Sequence, residues 1–372
     1  MRGAPRKNAR GLMGFRRICP KKRHNPRRII TGEEALRRYN GGMAVLSFTD
    51  RGIYCAAGDF YIDPWRPVSR ALITHGQSDH ARPGHDQYLC TAAAAPVITH
   101  RLGVTPQTIA YGEARRIGGA TVSFHPAGHV PGSAQIRVEV GGEVWVVSGD
   151  YKTEPDGVCE PFEPVRCHAF ISECTFGLPV FHWAPQAQVM ADINHWWAQN
   201  RAAGRVSVIG AYALGKAQRI LAHLDPQIGP ILTHGAVEAT TQILRAQGLR
   251  FPATLAANAT TAKEHPGALL LVPPSALGSG WLDKFGPAAS GFASGWMALR
   301  GLRRRRGGDA GFVISDHADW AGLNTAIRET GAQKVFVTHG YTQAFCRWLI
   351  EQGYDAGVVA TQYEGDGAEA EA

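Results

Sequence analysis

The sequence predicts an α/β fold in which a second α/β unit interrupts the first, and three observations support this. Strand-like runs alternate with Gly/Pro punctuation from Met43 to Gly149. After Thr175 the pattern changes to alternating helix and strand, which holds to about residue 300 and reads as a doubly wound parallel unit. From Gly311 the earlier strand pattern resumes. The middle segment therefore reads as an insertion, and at 372 residues the chain is long enough for both units to bury a core.

Taken in order, residues 1–42 form a basic leader. They hold 13 Lys/Arg against Glu33 and Glu34, a local charge of +11 in a chain of net +8, so residues 43–372 carry −3. The basic character thus belongs to the leader, which lacks apolar periodicity and reads as disordered. It admits three readings: an arm that holds nucleic acid electrostatically, an organelle-targeting segment, or an extension ahead of a true start at Met43.

Residues 43–178 form the first part of the main unit. Gly118–Gly119 and Gly141–Gly142 read as hairpin turns. The most informative stretch is L-I-T-His75-G-Gln77-S-Asp79-His80-A-R-P, where potential metal ligands directly follow a β-branched run. Three further apolar runs end in the same manner, at His129, Asp150 and His339. A lone His near a strand end is usually structural. Four such sites in register with their strands would be gathered by a sheet at one edge, on loops held by rigid elements.

Residues 179–310 form the inserted unit. Residues 184–203 read as a helix with Pro185 in its first turn and Gly204 ending it. Val206–Ile209 follows as a strand, and Lys216 opens a second helix. Residues 311–362 complete the main unit, and residues 363–372 are a short acidic tail that reads as a frayed terminus.

Several classes are disfavoured. No run of 18 apolar residues exists, which argues against a membrane helix, and the leader has no secretory apolar core. The seven cysteines are odd in number and lack C-x-x-C spacing, which argues against a disulfide framework or zinc ribbon and for a reducing, cytoplasmic setting.

On these residues, residues 43 to 360 of the chain resemble the metallo-β-lactamase fold in its nucleic-acid-processing β-CASP branch. Within that branch the likeness is to bacterial ligase-associated DNA exonucleases, also described as messenger-RNA 3′-end processing-factor homologues. The resemblance implies an αββα sandwich carrying an inserted β-CASP α/β domain. The first family motif matches Asp63. The second, H-x-H-x-D-H, matches His75, Asp79 and His80, with Gln77 in place of its middle His, and the third and fourth match His129 and Asp150. The three β-CASP motifs match Glu173, His317 and His339, and A-L-G-K-A-Q-R from Ala213 to Arg219 is similar to the start of an inserted-domain helix.

By resemblance, His75 and His129 serve one divalent cation, Asp79, His80 and His339 a second, and Asp150 bridges them. Two such cations generate a nucleophile and hold a phosphodiester for in-line attack. The ligand set suits Zn²⁺ and admits Mn²⁺. Gln77 is expected to weaken the first site, so that Gln77→His raises metal content. His317 is the expected general acid, Glu173 its orienting partner, and Asp63 a support for the second-motif loop. For substrate, Arg82, Lys216, Ser275 and the run Arg303, Arg304, Arg305 and Arg306 are candidates to hold backbone phosphates, each with an alternative reading as an ordinary surface residue. The expected activity is a DNA exonuclease acting on single strands or ends in repair, partnered with a DNA ligase and a helicase. The alternatives are an RNase of the same fold in RNA 3′-end processing, and a catalytically weakened nucleic-acid scaffold because of Gln77.

Overall fold

The computed structural model describes residues 44–257, 263–277, 279–306, 308–359 and 361. The basic leader with Cys19 and the acidic tail lie outside the described residues. The first sheet takes β1 (Ser47–Phe48), β2 (Ile53–Cys55), β3 (Phe60–Ile62), β4 (Arg70–Leu72), β5 (Gln87–Thr91) and β6 (Gln107–Ile109) in sequence order. The second begins with β7 (Arg115–Ile117), β8 (Ala120–Pro126), β9 (Ala134–Val140), β10 (Glu143–Val147) and β11 (Ala169–Cys174). The chain then leaves to build a third sheet from β12 (Val206–Gly210), β13 (Ile231–Thr233), β14 (Leu255–Ala256), β15 (Leu269–Val272), β16 (Ala288–Ala293) and β17 (Ala310–Phe312). It returns with β18 (Lys334–Gly340) and β19 (Asp355–Val358), completing the second sheet in the order β19-β18-β11-β10-β9-β8-β7.

The layering follows from side-chain alternation with period two. Along β10, Trp145 and Val147 enter the core between the first two sheets, where Phe60, Ile62, Leu72, Phe124, Ile136 and Phe336 meet them. Val144 and Val146 point the other way, beneath Leu323 and Ile327 of helix Trp320–Thr330 and Leu349 of helix Thr342–Glu351. The outer face of the first sheet buries Ala71, Tyr88 and Cys90 beside Ile98 of helix Ala95–Leu102. The result is the expected helix–sheet–sheet–helix order. Each fully buried Leu, Ile or Phe in such a core contributes about 1.5–3 kcal/mol.

The third sheet is parallel at every pairing, in the order β14-β13-β15-β12-β16-β17. Ile209, Leu269 and Leu271 pack on one face against helices Gln186–Ala202 and Lys216–His223. Val208, Leu270 and Val272 cover the other with Ala276 and Phe285. Pro185 caps the first of these helices from just outside it. The Gly118–Gly119 and Gly141–Gly142 pairs join antiparallel partners. No helix among the described residues is long and apolar enough to cross a membrane. The six described cysteines are free thiols.

Candidate metal centre

Three strands deliver their polar residue at one offset. β4 ends at Leu72 and His75 follows three residues on; β8 and His129, and β10 and Asp150, repeat the spacing. Gly149 is what allows the last of these, because a Cβ there would stand 2.7 Å from the Thr74 side chain. β18 uses a different device. Glu173 pairs with Thr338 and Cys174 with Gly340, so His339 is an extra residue bulged out of the ladder. Its φ of 59° is left-handed, a strain of about 1–3 kcal/mol for a residue with a Cβ. Gly340 permits the bulge, since any side chain there would collide with the Thr175 backbone.

The hydrogen-bond pattern fixes which ring nitrogens carry protons. Asp63 accepts from the Thr74 amide at 2.8 Å, from the Thr74 hydroxyl at 2.6 Å and from His80 Nδ1 at 2.7 Å. The single hydroxyl proton of Thr74 is thereby used, so His75 Nδ1, 3.0 Å from Thr74 Oγ1, is the donor in that contact. His129 Nδ1 faces the Asp316 carbonyl at 2.9 Å and must also donate. In the neutral imidazoles, Nε2 of His75 and of His129 then carry lone pairs. Both point at Gln77 Oε1, at 3.3 and 2.9 Å, and at Asp150 Oδ2, at 3.7 and 3.8 Å. Four electron-pair donors meet there with no proton between them.

His80 Nε2 lies 3.4 Å from Asp150 Oδ2 and 3.7 Å from Asp79 Oδ2. It has no hydrogen-bond partner, nor has Asp150 Oδ1, although both are buried. Buried polar atoms without partners are costly, and a cation would satisfy both. The His339 ring stacks on that of His80 with centroids 5.3 Å apart. Ligand atoms of His75, His129 and Asp150, of His75, Asp79 and His80, and of Asp150, Glu173 and His317 fall within 4.8 Å of one another in each set. The cluster is therefore able to hold metal. A cavity of about 30 Å³ beside Asp79, His80, Ser148 and His339 has room for a water-sized occupant.

The electrostatics agree. Burial pushes His75 well below the usual imidazole range, with His80 and His129 adding to the effect, and burial likewise lowers His129 and His339. For His80 burial acts in the same direction, but the carboxylates of Asp150, Asp79 and Asp63 together outweigh it and hold its pKa well above the usual value. Asp150 is held well below the carboxylate range: burial opposes this, and His80 is the first of the histidines that overcome it. High proton affinity at His80 beside an ionised Asp150 marks a position that a cation competes for.

Beside the cluster, His317 Nδ1 donates to Glu173 Oε1 at 2.9 Å. Glu173 is wholly buried and also accepts from the Tyr151 amide at 2.9 Å and the Thr175 amide at 3.2 Å, so its carboxylate is immobilised. The His317 ring centroid stands 4.7 Å from that of His129.

A cleft of about 320 Å³ runs from Gln77, Asp79 and His317 past Arg101 to Tyr212 and Lys216. Of the residues expected to hold substrate, only Lys216 lines it. Lys216 is buried at 1% exposure, with Nζ 3.7 Å from Asp316 Oδ2 and 4.3 Å from the Tyr212 ring centre, and so serves first as an internal ion-pair partner. Arg82 is half-buried and lines neither cavity. Ser275 is exposed in the short helix Pro274–Leu277, and Arg303, Arg304 and Arg305 are exposed on helix Arg300–Arg306; these too stand outside both cavities. The side chain of Arg306 lies outside the described residues.

Sequence reasoning missed four residues that shape the site. Thr74 relays Asp63 to His75. Asp316 holds His129 through its carbonyl. Arg219, 1% exposed, joins Asp156 at 2.8 Å and Asp316 at 3.0 Å. The motif around Arg219 was visible, but its acidic partners lie far off in sequence.

No family model matches the chain. It is 29% identical over 309 residues to a probable DNA ligase of Opitutus terrae, an alignment covering 82% of this chain and 30% of that protein. It is 32% identical over 122 residues to endoribonuclease YSH1 of Candida albicans, covering 32% of this chain and 14% of that one. Endoribonuclease YSH1 of Gibberella zeae is 30% identical over 179 residues, covering 46% and 20%. The chain thus spans less than a third of the length of these relatives. Among solved structures, a protein of unknown function from Enterococcus faecalis V583 superposes with a TM-score of 0.53 at 12% identity, covering 80% of each chain. The architecture is an α/β fold consistent with the metallo-β-lactamase/β-CASP kind that the sequence predicts, and the YSH1 likenesses support it.

Proposed function

We propose that this protein is a metal-dependent phosphodiesterase that cleaves nucleic acid. The observation that carries the proposal is the convergence of His75, His129, His80 and Asp150 on one buried centre, with the His317–Glu173 pair beside it. The donor set of imidazole nitrogens and carboxylate oxygens fits Zn²⁺ first and admits Mn²⁺, at one position among His75, His129 and Asp150 and a second among Asp79, His80, Asp150 and His339. When bound, such cations supply Lewis acidity toward a phosphodiester and make water a nucleophile near neutral pH.

The chain's own residues do the rest. Asp63 and Thr74 aim the His80 and His75 rings. Glu173 accepts a hydrogen bond from Nδ1 of His317, which fixes the ring so that His317 can deliver a proton from its other ring nitrogen to the departing oxygen. The cleft beside Gln77, Asp79 and His317 admits a single strand more readily than a duplex.

We read the activity as DNA exonucleolysis in repair, in partnership with a DNA ligase and helicase in a reducing cytoplasm. Similarity to a probable DNA ligase over most of this chain supports it. The likenesses to YSH1 endoribonucleases favour a second reading, an RNase of the same fold, which we would place in RNA 3′-end processing. A catalytically silent scaffold is the third outcome. Digestion of end-labelled single-stranded DNA and RNA of one sequence, with and without chelator, separates them. Chelator-sensitive stepwise loss of DNA is expected; RNA cleavage alone moves the substrate, and binding without cleavage of either sinks the enzymatic reading.

A further inference from the structure

Gln77 is the position where the ligand motif departs from H-x-H-x-D-H, and its surroundings are specific. Its Nε2 donates to the Leu214 carbonyl at 3.2 Å, on the loop ahead of helix Lys216–His223 in the inserted unit. That contact decides which end of the amide faces inward. Flipping the group would set Oε1 against another acceptor, the Leu214 oxygen. With the amide held in this sense, Oε1 sits 2.9 Å from His129 Nε2 and 3.3 Å from His75 Nε2. In the neutral imidazoles neither nitrogen has a proton to give it, because both rings commit their single hydrogen at Nδ1 elsewhere.

A second link ties the same position to the inserted unit. Asp316 orients His129 through its carbonyl, and its carboxylate is gripped by Lys216 and by Arg219, whose other nitrogens hold Asp156 at 2.8 Å. His80 differs. Its fixing partner, Asp63, stands at the end of β3 in the first sheet, and among the described residues none of the inserted unit orients its ring.

We propose that Gln77 is an oxygen ligand, completing a cation position with His75, His129 and Asp150, and that the docked inserted unit sets the affinity of this position while the His80 position is independent of it. The substitution then converts a nitrogen donor into an oxygen donor aimed from the inserted unit and preserves a site there. This rests on the metal-dependent reading above, yet it is tested without substrate.

The full chain, stripped with chelator, is titrated with Zn²⁺ alone by calorimetry, and bound metal is counted by elemental analysis. The wild type should take up two ions in separable steps. Gln77→Ala should weaken one step by roughly 10- to 100-fold and leave the other in place. Gln77→Glu, which retains an inward oxygen, should keep both steps. Arg219→Met should weaken the same step as Gln77→Ala, whereas Asp79→Asn should weaken the other. If Arg219→Met does not fold, Gln77→Ala decides the matter, because its half-buried side chain can be trimmed without orphaning a charge. Two unchanged steps in Gln77→Ala, or equal weakening of both, would overturn the assignment. A wild type that binds one ion overturns it too, while one that binds none also removes the metal-dependent reading.

Discussion

Asp63 Oδ2 accepts the Nδ1 hydrogen of His80 at 2.7 Å, and through the Thr74 hydroxyl the same carboxylate also governs His75. One acid thus orients rings in both expected cation positions. Its φ of 41° places it in the left-handed region, a further sign that the site holds it under strain. Asp63→Ala should therefore lower both Zn²⁺-binding steps, each by about 10- to 100-fold, where a ligand substitution lowers mainly one. It should also cost about 1–3 kcal/mol in denaturant unfolding, since the Thr74 donors lose their acceptor. Calorimetry on the variant checks the first effect; loss of a single step would show that Asp63 serves only His80.

His317 donates to a carboxylate that is itself locked by two backbone amides. The proposed general acid should be removable without emptying the proposed metal positions. His317→Ala should retain bound metal and lose about 10²- to 10⁴-fold in kcat on a labelled oligonucleotide. Glu173→Gln should reproduce part of that loss and change the alkaline limb of the pH–rate profile. Full turnover in His317→Ala would remove this residue from proton transfer.

What could be read from sequence was local. His75, His129 and Asp150 were legible because each follows a β-branched run whose period-two pattern survives into the structure, as in Val144 to Val147. The insertion was legible because the periodicity changed at its start and changed back at its end. The parts that were not legible act through backbone groups or distant pairs. The carbonyls of Leu214 and Asp316 have no signature in sequence, yet they aim Gln77 and His129. Lys216, at the opening of a helix, reads as a cation open to phosphate; only the fold reveals that Asp316 neutralises it inside the protein. His339 reads as one more strand-end histidine, whereas its placement depends on a bulge that the flanking Gly340 makes possible.

Arg219 and Asp156 form a buried pair where the inserted unit meets the main one. Burial raises the Asp156 pKa, but Arg219 and the amides of Cys159 and Val158, each 2.8 Å from Oδ1, more than offset it, so the folded value lies below the usual carboxylate range. A depressed folded pKa means that this group's stabilisation is complete above its unfolded value, about 3.9, and is lost as pH falls through the folded value. Asp156→Asn should cost about 3 kcal/mol at pH 7 by leaving part of the Arg219 charge uncompensated. It should also make stability fall less steeply below about pH 4 than in the wild type. Urea unfolding at a series of pH values tests both, and an unchanged acid slope would mean that Asp156 is not ionised in the fold.

Arg303, Arg304 and Arg305 are exposed on one short helix, where successive residues turn by about 100° and so spread over more than half its circumference. Adjacent like charges repel, and an anionic strand laid across them relieves the repulsion. Because they stand outside the two cavities at the cluster, their expected contribution is to binding rather than to the chemical step. Arg304→Glu with Arg305→Glu should weaken binding of single-stranded oligonucleotide. It should also flatten the dependence of log affinity on log salt by about 0.7 for each phosphate no longer neutralised. The rate at saturating substrate should not change, because no residue of the cluster is touched. Fluorescence anisotropy across a salt series reads the slope directly. An unaltered slope would return the helix to an ordinary solvated face and place the path of the strand elsewhere on the surface.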